Sequence, residues 1–298
     1  MAVLVECVPN FSEGSNLEKV AKIIAPFNST QGVKLLDYSS DRDHNRTVVT
    51  VMGEPKSVKN AMIEAAGIAL QEIDLRCHQG EHPRMGAVDV VPFIPIQNYT
   101  MEEAVVLARE TAQDLASRYD LPIFLYEKAA TQPARENLAN IRKGEFEGMS
   151  EKLLLPEWKP DFGPDSIHPS AGVTAVGARM PLVAYNINLN TDNLEIANQI
   201  ARCIRHISGG LRYCKAMGVE LKERNIVQVS INMTDYTKTA LYRVFEMVRF
   251  EARRYGVEIV GSEIIGLAPM AALVDAAVYY MRLEDFKMEQ IIEQRMLE

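Results

Sequence analysis

The 298-residue chain has no excess of positive charge, no closely paired cysteines and no uninterrupted apolar run of membrane-spanning length. Each absence excludes something. With a net charge of −8 and no basic cluster, the chain lacks the electrostatic footprint of a nucleic-acid binder. Its four cysteines, Cys7, Cys77, Cys203 and Cys214, have no CxxC spacing and read as thiols rather than as a disulfide framework. The N-terminus, MAVLVECVPN, has no basic region ahead of its short apolar run, so no signal peptide is expected. The most apolar late stretch, residues 266–281, is interrupted by Asp275 and falls short of the roughly 20 residues needed to cross a bilayer. A cytoplasmic protein with no membrane partner is therefore expected. What remains is ordinary: 47% hydrophobic and 24% charged residues, enough for packed cores, and a length that suggests two domains.

Periodicity predicts alternating strands and helices. Strands are expected at 3–8, 33–38 and 46–52, with a helix after Ser15 as N-cap and another over 56–73. Residues 88–96 are apolar but carry Pro92 and Pro95, which predicts an edge or irregular strand. Helices follow at 101–118 and 132–143, with a short strand at 122–126 between them. The stretch 156–172, PEWKPDFGPDSIHPSAG, has four prolines and two glycines and reads as a loop. The pattern then restarts with strands at 181–189, 227–233 and 257–265, helices at 192–207 and 236–255, and a charged terminal helix in LEDFKMEQIIEQRMLE with Phe286, Ile291 and Ile292 as its apolar contacts. GAVDVVPFIP (86–95) and GSEIIGLAPM (261–270) echo each other weakly. The fold expected is α/β of the α+β type: two similar subdomains, 1–180 and 181–298, with sheets lining a central cleft.

Two strands carry an unusual face. In PLVAYNINLN, Asn186, Asn188 and Asn190 alternate with apolar residues, and in VQVSINM so do Gln228, Ser230 and Asn232. Asparagine is depleted in strands. If the strands are neighbours, their shared polar face suits either solvent or hydrogen bonds to a polar ligand.

The chemistry concentrates in HQGEHPRMGAVD, residues 78–89, which holds two of the five histidines. His78, Glu81 and His82 fit the H-x-x-E-H pattern of a zinc hydrolase. That site needs a helix to bring both imidazoles together. Gly80 and Pro83 oppose one, and no third ligand motif follows. The other reading is a loop pinned by Gly80, Pro83 and Gly86 that presents His82 as a proton-transfer group beside Glu81, Arg84 and Asp89. His78, at the end of the preceding helix, also suits a capping role.

The blocks LVECVPNFSEG (4–14), NRTV (45–48), HQGEHPRMGAVDV (78–90), WKPDFGP (158–164), GAR (177–179), AYNINL (184–189), QVS-N (228–232) and VGS-I-GL-P (260–269) together resemble the formiminotransferase family. The resemblance runs from about residue 3 to about residue 285. It implies two α/β subdomains binding tetrahydrofolate as co-substrate, a homodimer formed through the N-terminal half, and no metal. It implies His82 as the catalytic acid/base, and a folate-contacting loop at Gly163, Pro164, Asp165, Ser166, Ile167, His168, Pro169, Ser170, Ala171 and Gly172. It also implies an acidic residue shortly before NRT, where SSDRDHNRT offers Asp41 and Asp43. Further candidates for ligand contact are Asn10, Arg46, Glu81, Arg84, Asn186, Asn188, Gln228 and Asn232, with the two arginines suited to carboxylates.

The implied reaction moves the formimino group of N-formimino-L-glutamate to N5 of tetrahydrofolate, a step of histidine and one-carbon metabolism. A separate cyclodeaminase chain is the expected consumer of the product, since residues 270–298 offer nothing for that chemistry. Two other readings stay open on sequence: a zinc-dependent hydrolase using His78, Glu81 and His82, and a folate-binding protein without catalysis. Formyl transfer between glutamate and folate at the same site is a third.

Overall fold

In the computed structural model, residues 2–297 are described, and they form two compact units, Met1–Arg179 and Met180–Glu298. The first unit runs β1 (Leu4–Cys7), β2 (Asn10–Phe11), α1 (Leu17–Ser29), β3 (Val33–Asp41), β4 (Arg46–Gly53), α2 (Pro55–Glu72), β5 (Val88–Gln97), α3 (Met101–Tyr119), β6 (Ile123–Glu127), α4 (Leu138–Arg142), α5 (Glu145–Lys152) and β7 (Thr174–Ala178). The second runs β8 (Val183–Leu189), α6 (Leu194–Ile204), β9 (Cys214–Leu221), β10 (Ile226–Met233), α7 (Leu241–Arg254), β11 (Ile259–Ile265), α8 (Met270–Met281) and α9 (Ile292–Leu297). The mixed helix-and-sheet class expected from the alternating pattern is what is found, in both units.

The two sheets differ. The first has seven strands, with β5 antiparallel to β1 and β2 on one side and parallel to β7 on the other. The strand with two prolines is thus paired on both sides, not an edge. Proline withholds only an N–H, and its carbonyl still serves the ladder: Val8 N donates to Pro92 O at 3.3 Å. Helices α1, α2 and α3 bury Ile23, Phe27, Met62, Ala65, Leu107 and Leu115 with Phe93 and Val176 of the sheet. A smaller cluster joins Ile141 of α4 and Met149 of α5 to Met85, Val90, Phe124 and Val173. The second unit's sheet is antiparallel throughout, in the order β11-β8-β10-β9. Its core sets Val183, Ile187, Val229 and Ile231 against Ile200, Val244 and Val248 of the helices. The two echoing segments therefore fill different places: β5 is central and β11 is an edge strand.

Several local expectations are corrected. Asn16, not Ser15, caps α1, accepting from Glu18 N and Lys19 N at 3.1 and 3.2 Å. The helix expected at 132–143 is broken into a short 3-10 turn, Pro133–Arg135, and α4. Residues 236–240 lie ahead of α7 rather than in it. The expected terminal helix is a 3-10 turn, Met288–Gln290, followed by α9, and Ile292 is exposed rather than packed.

Candidate active site

The segment 75–87 is irregular backbone, held by its neighbours rather than by its own hydrogen bonds. Asn45, in a left-handed turn at φ 47°, is its anchor. The Asn45 amide oxygen accepts from Gly14 N at 2.9 Å, its Nδ2 donates to Gln79 O at 2.9 Å, and its carbonyl meets His78 Nε2 at 3.0 Å. Glu81 N donates to Asp43 O at 3.1 Å. From the other side, Ser12 Oγ donates to Gly86 O at 2.7 Å. The blocks VPNFSEG, NRT and HQGEHPRMG are therefore one assembly.

His78 is fully used. Its Nδ1 accepts from Arg84 Nε at 3.2 Å, which fixes the proton on Nε2 facing the Asn45 carbonyl. That leaves it no lone pair for a metal. The arrangement needed by a zinc hydrolase is not formed, because residues 78–82 are not helical and His82 is aimed elsewhere. Among the described residues no cluster of three metal-ligating side chains occurs.

His82 is buried, with Nε2 3.4 Å from Asp89 Oδ2. Asp89 is wholly buried, and a β-bulge puts it there. Phe11 pairs with Val88, but Asn10 pairs with Val90, so Asp89 is the extra residue. Bulges re-aim side chains in this way. Asp89 Oδ1 accepts from Met85 N at 2.9 Å, and Oδ2 also accepts from Arg142 Nη2 at the end of α4. Burial pushes the Asp89 carboxyl up, but Arg142, His82 and the Met85 N–H outweigh it, so its pKa lies below the ordinary carboxylate value. Burial pushes the His82 imidazole down. Asp89 opposes that, Arg46 and Arg142 reinforce it, and the net shift is downward. Arg46 is itself lowered by burial and by Arg142, and its Nε has no hydrogen-bond partner. Two guanidinium groups and one carboxylate thus surround His82, a net positive site.

Other expected residues have different surroundings. Arg84, expected to clamp a carboxylate, is committed to a protein partner. Its Nη1 and Nη2 donate to Glu147 at 2.9 and 2.6 Å, with Glu145 at 3.4 Å. Glu81 is exposed. Asp41 closes its own turn, accepting from Asp43 N and His44 N at 2.9 and 2.8 Å and pairing with His44 Nδ1 at 3.0 Å. Asn10 Nδ2 donates to Val8 O at 3.2 Å.

The loop 163–172 is bonded directly to the His82 segment. Ala87 N donates to Ala171 O at 2.9 Å, Val173 N to Met85 O at 3.0 Å, and Leu75 N to Ser170 O at 2.8 Å. Gly172 sits at φ +73°, and a Cβ there would run into the Met85 carbonyl. His168 and Gly172 bond each other's backbone, and His168 Nδ1 accepts from Ala171 N at 3.0 Å. Pro164, Ser166, Ile167, His168 and Pro169 line a 230 Å³ cavity with Asp120. Ahead of the loop, buried Arg135 donates to Asp161 Oδ2 at 2.8 Å and to the carbonyls of Glu157 and Lys159 at 2.9 and 2.6 Å. That network fixes WKPDF and hence the loop's entry.

In the second unit, β8 and β10 are neighbours, and Gln228 pairs with Asn188 and Ser230 with Asn186. Asn186, Asn188 and Gln228 are buried, whereas Asn232 is exposed. Gln228 Nε2 donates to Asn188 Oδ1 at 2.8 Å and to Glu263 Oε1 at 2.6 Å. Flanking strands add charge to that face: Glu263 lies opposite Asn186, and Lys215 opposite Asn232.

Reading from the sequence missed Arg142, Asn45 as anchor, and Arg135. Arg142 reaches Asp89 across 53 positions, and nothing in the local sequence marks it.

Comparison with known proteins gives one answer along the whole chain. Residues 4–179 match the family model for the formiminotransferase domain, N-terminal subdomain, and residues 184–297 that for the formiminotransferase domain. The chain is 54% identical over 298 residues, all of both chains, to "Glutamate formimidoyltransferase" of Streptococcus pyogenes serotype M1. It is 45% identical to the protein of the same name in Thermoplasma acidophilum, over 98% of this chain and 97% of that one. It is 46% identical to "Formimidoyltransferase-cyclodeaminase" of Rattus norvegicus, over 94% of this chain but 53% of that longer one. A match of this extent leaves no part of the fold unassigned, and the chain belongs to the formiminotransferase family.

Proposed function

We propose that the chain transfers the formimino group of N-formimino-L-glutamate to N5 of tetrahydrofolate, with His82 as general acid/base. The observation that carries this reading is the His82–Asp89 pair on a segment hydrogen-bonded to the loop 163–172. Asp89, anionic, holds the proton of His82 on Nε2, so the Nδ1 lone pair is the base. N5 attacks the formimino carbon and its proton passes to His82. The tetrahedral intermediate then collapses, the bond from that carbon to the glutamate nitrogen breaks, and His82 returns the proton to that nitrogen. Glutamate leaves as an amine and His82 is regenerated. Acid–base catalysis of this kind contributes on the order of 10²–10⁴ in rate. A lowered imidazole pKa keeps the base form populated at neutral pH.

Arg46 is the proposed anchor for a glutamate carboxylate, being a desolvated cation whose Nε has no hydrogen-bond partner and on which Asp89 and Asp41 act only through space. The loop 163–172 is the proposed folate contact. Asn186, Asn188 and Gln228 are proposed to bind polar ligand groups. A cytoplasmic homodimer formed through the first unit belongs to the same reading, as does a separate cyclodeaminase that consumes the product.

The test is spectrophotometric. Purified chain given both substrates is expected to accumulate 5-formimino-tetrahydrofolate, with 5,10-methenyl-tetrahydrofolate appearing no faster than without enzyme. No formimino product would refute the reaction, and enzyme-dependent methenyl absorbance would refute the separate second step.

A further inference from the structure

We propose that Arg142 is a positioning residue for His82, acting through the carboxylate of Asp89. The inference rests on the reading of His82 as the base, and it adds a residue that no sequence block marks.

The geometry begins at Asp89. Its carboxylate is wholly buried and held at three points: Met85 N on Oδ1, and Arg142 Nη2 and His82 Nε2 on Oδ2. Two of these contacts are firm, while the one to His82 is long at 3.4 Å. Among the described residues, Arg142 is the one permanent counter-ion that Asp89 touches. Without it a buried carboxylate has two ways to recover its desolvation cost. It can take a proton, or it can hold His82 as imidazolium. By the second route His82 holds its proton to higher pH than in the parent chain; the first would leave the imidazole neutral and its midpoint unraised.

Arg142 is delivered to this point by a segment braced in both directions. Ile141, beside it, is buried among Met85, Val90 and Phe124. Gly144, at φ +95°, turns the chain from α4 into α5. α5 is then tied back to the His82 segment: Phe146 N donates to Arg84 O at 3.0 Å, and the Arg84 guanidinium grips Glu147 through two nitrogens. Lys152 Nζ donates to the carbonyls of Asn140 and Ile141, both at 2.6 Å, and of Lys143 at 3.1 Å, which caps the end of α4. Arg84 thus reaches from the His82 segment to α5, and Arg142 reaches from α4 to Asp89. This cross-brace accounts for Arg84 without any substrate.

The charged groups that act on the pair are few. Asp89 comes from β5, Arg46 from β4 and Arg142 from α4. Asp41 acts on Arg46, and Tyr126 of β6, its hydroxyl pushed up to about 12 by burial, is near Arg142. Arg142 and Arg46 both lower the His82 pKa, so loss of either cation raises it.

The experiment titrates His82 directly. The full chain is labelled with ¹⁵N-histidine, the His82 signals are assigned by their loss in H82A, and pH is varied without substrate. In R142M the His82 midpoint is expected to move up by about one pH unit, the scale of a lost neighbouring charge. R142Q, which keeps an N–H donor but no charge, is expected to shift likewise and serves if R142M does not fold. R142K is expected to titrate near the parent chain. In kcat/KM the acid limb should move with the midpoint. R142M then loses up to about tenfold at pH 6 and little at pH 8.5, with both KM values within about threefold. A parent-like His82 midpoint in R142M or R142Q overturns the proposal, as does an equal shift in R142K. A shifted midpoint in a chain with no transfer activity would instead refute the proposed reaction and leave this linkage standing.

Discussion

At the scale of single residues, the site is a balance between one buried carboxylate and two guanidinium groups around an imidazole. Asp89 and His82 both titrate below their ordinary values in the folded chain, so the unfolded chain binds more protons. Their contributions to stability are therefore present at neutral pH. The His82 contribution is lost as pH falls below its unfolded value, and the Asp89 contribution is lost at still lower pH. Arg46 yields a separate expectation. As the proposed carboxylate anchor it would contribute about 2–3 kcal/mol, which replacement with methionine would remove. KM for formiminoglutamate should rise by roughly 30- to 160-fold while KM for tetrahydrofolate stays within about threefold. An unchanged KM for formiminoglutamate, measured by initial rates, would remove Arg46 from the site. His82 could be made a candidate from sequence, because Gly80 and Pro83 oppose a helix there and the family resemblance implies it. Arg142 could not, because its contact with Asp89 depends on a bulge opposite Asn10 and on a helix end 53 positions away.

At the scale of elements, the central feature is the join between two irregular segments, 75–87 and 163–172, bonded to each other at several backbone positions. The backbone bridge at Gly86 and Gly172 makes them one unit. Gly172→Ala tests this. Alanine at φ +73° costs about 1–2 kcal/mol in backbone strain alone, and its methyl meets the Met85 carbonyl. The variant should melt several degrees lower, bind tetrahydrofolate more weakly and turn over more slowly. Parent-like values in calorimetry and folate titration would mean the join has no functional weight. Helices such as α2 and α3 were legible in the sequence from their periodic apolar residues, and β10 from the alternation of apolar and polar side chains, although Gln228 on its polar face is buried as well. Of the two readings of β5, irregular holds and edge does not: its pairings with β1 and β2 both shift register, and the Pro92 carbonyl still serves a two-sided ladder. β9 was missed because its residues alternate only partly in burial, and β7 because five wholly buried residues leave no period to read.

At the scale of the whole molecule, the chain forms two compact units, Met1–Arg179 and Met180–Glu298, and one matched family segment lies in each. The likeness expected between the halves did not extend to their sheets, one mixed with seven strands and one antiparallel with four. Short echoes such as 86–95 and 261–270 record strand-forming composition, not position in a sheet. What unites the chain is the reaction proposed for it, and that rests on His82. The most direct test compares formimino transfer by the parent chain and by His82→Ala under saturating substrates, with tetrahydrofolate binding measured in parallel. The variant is expected to lose at least about two orders of magnitude in turnover, the usual scale of a lost acid/base, while still binding folate. Near-parental turnover in His82→Ala would contradict the account at its centre.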